Sequence, residues 1–202
     1  DVYEESKPYN VDLMEKFVDI PKFSICHGIN IHNGGVFRFS KKLRNAGYRK
    51  DIKAYLFSSK ELPLYEHQHS IHKSFTKVVG IPRHSADWVD FIIANISDKL
   101  NGLSSDFIFI ISRPGNTNYH SYERKKKALK AIKRLAWIDL KKKIVVKLHP
   151  KERKEGLYEE VFGNDNYGAK WVYSNLHPFV LGKESAFAIS FYSGVVVDMV
   201  AL

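Results

Sequence analysis

A histidine and a proline follow the short apolar stretch at 144–146, inside the segment KKKIVVKLHPKE. The continuous apolar residues predict a strand that is buried on both faces. In open α/β folds the loops at the carboxyl ends of parallel strands bind ligands, and His149 can donate a hydrogen bond to a phosphate there. Lys147 adds positive charge on the same strand. The alternative is a strand that simply ends in a surface turn at Pro150.

A second histidine stands at the same place after another predicted strand, at 22–26. His27-Gly28 is followed by Asn30 and by a pair of glycines. Glycine allows close backbone approach, and a histidine held beside it can act as the general base for an attacking hydroxyl. The alternative is a loop histidine next to a glycine that only makes the turn.

Two further loops contain residues suited to binding an anion. Ser193-Gly194 stand where the predicted strand at 186–191 becomes a helix, whose first backbone N–H groups suit an anion; the alternative is ordinary capping by Ser193. Asp198 falls one turn later. It holds either the loop or a ribose, and the alternative is a surface carboxylate. Arg83 is either a bidentate phosphate ligand or a linker arginine.

Composition limits the class of protein and its partners. The chain has 202 residues, of which 44% are hydrophobic and 27% charged, which suits globular α/β domains with a sizeable core. The net charge of +10 fits phosphorylated ligands or anionic membrane surfaces, whereas no recognised motif predicts binding to nucleic acid. The single cysteine excludes an internal disulfide and a cysteine metal cluster. Together with the polar first ten residues, it predicts a cytoplasmic protein that contacts at most the inner face of a membrane.

Alternating apolar and helical patterns predict the architecture. Such alternation indicates parallel Rossmann-like sheets with helices on both faces, and the linker-like stretch 79–87 divides the chain in two. Strands are predicted at 22–26, 54–59, 75–80, 105–112, 143–149, 169–174 and 186–191, and helices at 38–48, 60–75, 85–102, 121–140 and 194–202.

The predicted helix at 121–140 is strongly basic. Leu129, Ile132, Leu135 and Ala136 form an apolar stripe, and we expect the lysines and arginines, Lys125 among them, to form a solvated face. Attachment of this face to anionic lipids is the lesser alternative.

The order of these motifs resembles a known group of proteins. H-G after a strand, G-x-P-R at 80–83, strand-K-L-H-P and then F-Y-S-G-x-x-x-D are similar to the bacterial envelope-polymer glycosyltransferases of the GT-B type. This group includes teichoic-acid CDP-glycerol glycerophosphotransferases, polysialyltransferases and capsule-synthesis transferases. The sequence departs from the pattern at 191–194, where a turn like D-Y-S-S is expected, and it lacks the acidic motif of bacterial sialyltransferases.

The resemblance implies an activity and a division of labour. It implies metal-independent transfer of a sugar or an alditol phosphate from a nucleotide-activated donor, with CMP or CDP favoured, to a polysaccharide or lipid-linked acceptor. No cofactor beyond the donor is implied. The implied catalytic residue is His27, the implied nucleotide-binding residues are Arg83, His149, Pro150, Ser193 and Gly194, and the supporting residues are Gly28, Asn30, Lys147 and Asp198.

The resemblance also implies a partial two-domain unit. Residues 1–80 would be the end of an acceptor-side domain, and residues 81–202 an incomplete donor-binding domain. Two alternatives stay open from the residues alone. One is a non-catalytic module that binds a nucleotide or a polyanion, and the other is a nucleotide-sugar epimerase of the same architecture.

Overall fold

The chain forms two compact units, Asp1–Arg83 and His84–Leu202, which we call the first and the second unit. The division falls inside the linker-like stretch 79–87. The computed structural model describes residues 16, 19–25, 52–57, 76–96, 103–114, 121–150, 152 and 156–202.

The first unit contains a three-stranded parallel sheet. Its strands are β1 (Lys22–Ile25), β2 (Ile52–Phe57) and β3 (Thr76–Val78), in the order β1-β2-β3. The predicted parallel pairing of the strands near 22 and 54 is confirmed, with Phe23 opposite Ala54. The predicted helices at 38–48 and 60–75 lie outside the described residues.

The second unit is built on a four-stranded sheet in which every pairing is parallel. Its strands are β4 (Phe107–Ile111), β5 (Ile144–Lys147), β6 (Trp171–Tyr173) and β7 (Ser185–Ser190), in the order β6-β5-β4-β7. The predicted α/β class with parallel strands is therefore confirmed here, and the sheet is consistent with a Rossmann-like fold. Strands β6 and β7 form the two edges of the described sheet.

Five helices accompany this sheet. They are α1 (Ala86–Ile96), α2 (Tyr122–Arg134), α3 (Leu157–Phe162), α4 (Pro178–Glu184) and α5 (Val196–Val200). Helix α2 starts at Ser121, whose hydroxyl accepts a hydrogen bond from the backbone N–H of Arg124, as expected of an N-cap. None of the helices in the described part of the chain combines the length and the apolar character needed to cross a bilayer.

The predicted helix at 121–140 has the expected extent but not a uniform geometry. After Arg134 the chain continues as a π-helical turn, Leu135–Asp139, in which the N–H of Leu140 donates to the carbonyl of Leu135 at 3.0 Å. The spacing of apolar residues predicts a helical segment. It does not distinguish an α-helix, in which each N–H donates to the carbonyl four residues earlier, from a π-helical turn, in which it donates five residues back. Ile138 lies in this turn and is 61% exposed.

Alternate residues of the central strands pack on opposite faces of the sheet. Ile108 and Ile110 pack with Leu129 of α2 and Phe162 of α3, whereas Phe109 packs on the other face with Leu181 of α4. Every residue of β4 is buried, as the continuous apolar run predicts for a strand covered on both sides. This core fixes the carboxyl ends of the strands, where the candidate site lies.

Candidate functional site

The strand order of the second unit creates a point where the chain changes direction. From β4 the chain passes to β5 and then β6 on one side, and it returns as β7 on the other side of β4. This 3-2-1-4 order matches the first four strands of the classic doubly wound sheet, in which ligands bind at the carboxyl edge where the order reverses. That point lies between the loop after β4, which contains Arg113, and the loop after β7, which contains Ser193 and Gly194.

The structure places His149-Pro150 at this same carboxyl edge. His149 follows the end of β5 by two residues and is half-buried, and Pro150 is exposed in the turn. Because β5 and β7 pair with opposite sides of β4, their carboxyl ends are about 10 Å apart. The His149 and Ser193-Gly194 loops therefore flank one central strand.

A buried polar network supports the loop that carries His149. The carboxylate of Glu152 accepts a hydrogen bond from the backbone N–H of His149 at 3.3 Å and forms an ion pair with Lys125. Lys125 also donates to Ser112 Oγ at 3.0 Å and to the carbonyl of Arg113 at 2.7 Å. The network thus connects the loop after β5 to the loop after β4 through one ammonium group.

Two aromatic rings enclose the ammonium group of Lys125. Its Nζ atom lies 4.9 Å from the ring centroid of Tyr158 and 5.8 Å from that of Phe191. The Tyr158 hydroxyl contacts Ser112 Oγ. Burial, with the nearby carboxylate of Glu152, raises the pKa of Tyr158 well above its ordinary value, and the bond to Ser112 opposes that rise. Tyr158 therefore acts as a neutral hydroxyl at physiological pH.

The expectation that Lys125 belongs to a solvated basic face is wrong. Its side chain is 1% exposed, and that of Glu152 is 5% exposed. A signal was present in the sequence, because Lys125 precedes Leu129 by four residues, Ile132 by seven and Ala136 by eleven. These spacings place it on the buried stripe of α2, so its charge required a buried partner.

The turn after β7 is held by local hydrogen bonds. Ser193 is buried, and its Oγ accepts from the N–H of Val195 at 3.4 Å. The N–H groups of Val196 and Val197 donate to the carbonyls of Ser193 and Gly194. These N–H groups are used within the turn. The N-cap of α5 is Val195 and has no side-chain capping bond, so Ser193 stabilises the turn before the helix and is not its cap. Helix α5 has only five residues, and we assign no anion site to its first turn.

An arginine links the two sides of the switch point. Arg113, two residues beyond β4, donates from Nη1 to the carbonyl of Tyr192 in the loop after β7. Tyr192 has a φ angle of 52°, a left-handed conformation that is strained for a residue other than glycine. Arg113 therefore lies at the crevice that the strand order creates, as the sequence RPGN directly after a strongly apolar strand predicts for the loop at this edge.

Asp198 is not a surface carboxylate. It is 2% exposed, and its Oδ1 lies 2.7 Å from Nε2 of His84. This pair ties His84, the first residue of the second unit, to helix α5. Asp198 is therefore a buried partner of His84, and the roles expected of it toward the loop or a ribose stay predictions.

Lys147 is directed to the neighbouring strand. Its Nζ donates to the carbonyls of Asn175 at 3.2 Å and Leu176 at 2.8 Å, both just beyond β6. Burial lowers the pKa of Lys147 from its ordinary value. Both contacts position the end of β6, and Lys147 is best described as a structural residue of this edge.

Four predicted site residues remain: His27, Gly28, Asn30 and Arg83. His27, Gly28 and Asn30 lie outside the described residues. Arg83 is exposed and is the last residue of the first unit.

Two side chains that can donate hydrogen bonds stand on connected loops of the carboxyl edge. His149 and Arg113 supply donors, and the buried Lys125–Glu152 pair holds the two loops on which they stand. In the described ranges, no three side chains of the types His, Cys, Asp and Glu are grouped so that they could hold a metal ion.

Comparison with known proteins adds no assignment. No model of a protein family matches the chain, and no curated protein sequence is significantly similar to it.

Proposed function

We propose that the chain is part of a GT-B transferase that moves a sugar or an alditol phosphate from a nucleotide-activated donor to a growing surface polysaccharide. One observation carries the proposal. The two donor-side motifs, His149-Pro150 and Ser193-Gly194, follow the strands on either side of β4, at the carboxyl edge where the strand order reverses.

The second unit would bind the nucleotide of the donor. Arg113 and His149 would donate hydrogen bonds to its phosphate oxygens, and the exposed Gly194 would let the ligand approach the backbone. The buried Lys125–Glu152 pair would not touch the nucleotide, but it would hold the His149 loop in place. These donors would stabilise the charge that develops on the leaving phosphate.

The reaction would be a displacement at the activated carbon or phosphorus. An acceptor hydroxyl forms the new bond, its proton passes to His27, and the bond to the nucleotide breaks with the electron pair leaving on the phosphate oxygen. The first unit, which contains His27, would contribute the acceptor side. Arg83, in the G-x-P-R motif, remains a proposed phosphate ligand.

Calorimetric titration of CMP, CDP, UDP and GDP tests the donor site, and we expect CMP or CDP to bind most tightly. His149→Ala should weaken binding by about 1.5–3 kcal/mol, the range for a hydrogen bond to a charged group. The melting temperature should stay unchanged, because His149 lies in an edge loop.

His177→Asn is the matched control. His177 repeats the His-Pro dipeptide after β6, where its Nδ1 accepts from the N–H of Phe179 and caps α4. Asparagine preserves a capping acceptor, and this variant should bind nucleotide like the unmodified protein. Equal affinities for His149→Ala and the parent would remove His149 from the site.

Turnover separates transfer from binding alone. The His27→Ala variant should bind the nucleotide-activated donor normally. It should not release free nucleotide from that donor when an acceptor is present. Release at the parent rate in that variant would leave only a nucleotide-binding module.

A further inference from the structure

A cavity of about 700 Å³ lies at the amino edge of the second sheet, the edge opposite His149. Its walls come from the residues that directly precede β4, β5 and β6, and from the π-helical turn after α2. Six of the lining residues carry the argument: Asp106, Trp137, Lys141, Lys142, Lys143 and Lys170. The proposed donor site uses none of them.

The cavity has an excess of positive charge. Four lysines and one aspartate line it, which gives 4 − 1 = +3. Lys142 pairs with Asp106, and Lys143 donates to the carbonyl of Gly168. Placing like charges around one concave space costs free energy, which a bound anion would offset.

The ring of Trp137 forms an aromatic wall of the cavity. The ammonium groups of Lys133 and Lys170 lie 4.9 and 5.1 Å from the centroid of this ring. A ring face attracts a cation, so Trp137 helps to hold Lys170 at the cavity wall. Its Nε1 atom is buried and has no hydrogen-bond partner within the described residues, so a ligand in the cavity would contact the ring and not this atom.

The backbone around the cavity is strained. Asp106 has a φ angle of 74° and Lys141 one of 55°, both in the left-handed region. Of the described residues other than glycine, only these two and Tyr192 have positive φ. Such positions cost free energy and are concentrated at ligand sites. Here they hold an aspartate and a lysine at the rim of one cavity.

We propose that this cavity is an anion site for a ligand that carries more than one phosphoryl group. Lys141 and Lys170 would neutralise the charge of the phosphoryl groups, and the ring of Trp137 would form one wall of the site. A cavity of this size accommodates far more than one phosphate. The ligand is either a soluble oligophosphate or a phospholipid headgroup. The positive charge of the rim fits an oligophosphate and a lipid headgroup equally well. The apolar side chains of Ile138 and Leu140 are exposed beside it.

Tripolyphosphate, titrated by calorimetry at low salt, is the soluble probe. The double variant Lys141→Asn/Lys170→Gln should weaken its binding by about tenfold or more, corresponding to ~1.4 kcal/mol. Asparagine is chosen at position 141 because it tolerates positive φ. Lys127→Gln/Lys130→Gln removes the same charge from exposed positions of α2 and should leave the affinity within about twofold.

Co-sedimentation with vesicles is the second arm. Vesicles of phosphatidylcholine mixed with cardiolipin, whose headgroup carries two phosphates, are compared with vesicles of phosphatidylcholine alone. Retention only on the anionic vesicles, lost in the Lys141/Lys170 variant, would identify a lipid headgroup as the source. Binding of tripolyphosphate without such retention would identify a soluble ligand. Both results support the site.

Lys170→Glu reverses one charge at the exposed wall of the cavity, and it tests the site if the double lysine variant does not fold. It should weaken binding of whichever probe the parent protein binds. His149→Ala should bind the probe like the parent, so this site and the donor site can fail separately. Unchanged binding of both probes by a folded Lys141/Lys170 variant, or loss of binding in His149→Ala alone, would overturn the proposal.

Discussion

Replacing Lys125 with methionine should strongly destabilise the second unit. Methionine preserves the packing of the aliphatic chain against the rings of Tyr158 and Phe191, but it removes the ammonium group. The carboxylate of Glu152, with a side chain 5% exposed, would then be buried without its cation. Among the described residues, the hydroxyl of Ser112, at 2.8 Å, and the N–H of His149, at 3.3 Å, are the groups that would still donate to it.

The size of the effect follows from this loss. Removing one partner of a buried ion pair typically lowers the free energy of unfolding by about 3–5 kcal/mol, because the remaining charge stays buried and uncompensated. We expect Lys125→Met to lower the free energy of unfolding by that amount. The double variant Lys125→Met/Glu152→Gln should recover most of it, since no net charge is then buried. Urea unfolding followed by near-ultraviolet circular dichroism measures the free energy of unfolding of the parent protein and of both variants.

A matched control distinguishes this pair from an ordinary surface bridge. Lys126 pairs with Glu160, but the two side chains are 24% and 50% exposed, so Lys126→Met should shift the urea midpoint very little. If Lys125→Met were as stable as Lys126→Met, or if the double variant were no better than the single one, the buried pair would not hold this edge together.

Three further predictions concern other groups. Burial raises the pKa of Tyr158, and burial with Glu159 nearby raises that of Tyr173. Because each folded-state pKa lies above the unfolded value, the unfolding free energy should decrease as pH rises above about 10, and Tyr158→Phe should reduce that slope in urea titrations at several pH values. Asp198→Ala should lower stability by about 1.5–3 kcal/mol because it removes the acceptor of His84, whereas Asp198→Asn should cost less; equal losses would argue against that bond. Gly156 has a φ angle of 74° and open space around its Cβ position, so Gly156→Ala should cost about 1–2 kcal/mol through backbone strain alone, and a thermal midpoint equal to the parent's would contradict this.

Local patterns predicted the strands because they depend on neighbouring residues. Apolar runs such as the one at 107–111 identify a strand covered on both faces, and all seven predicted strands are present. Strand order is different, because it depends on which distant strands pair. No local signal places β7 beside β4 rather than beside β6.

The candidate site was predictable only in part, for a similar reason. The position of His149 follows from the strand before it, whereas the partners of Lys125 come from three separate segments, containing Ser112, Arg113 and Glu152. Helical spacing alone indicated that Lys125 is buried, but it could not name the carboxylate. The Arg113 contact with Tyr192 depends on strand order and was therefore out of reach.

The edge position of β7 has a consequence for self-association. Among the described strands only β4 pairs with it, so no strand in the described part of the chain pairs with its outer side. Its sequence, SAFAIS, contains neither a charge nor a proline, and Ala186 and Phe187 are exposed. In natural proteins a lysine, a proline or a very short length usually protects an edge strand from pairing with another molecule, and β7 has none of these features. It is thus the place where a further strand would extend the sheet, and the place where unwanted aggregation of the unit would begin.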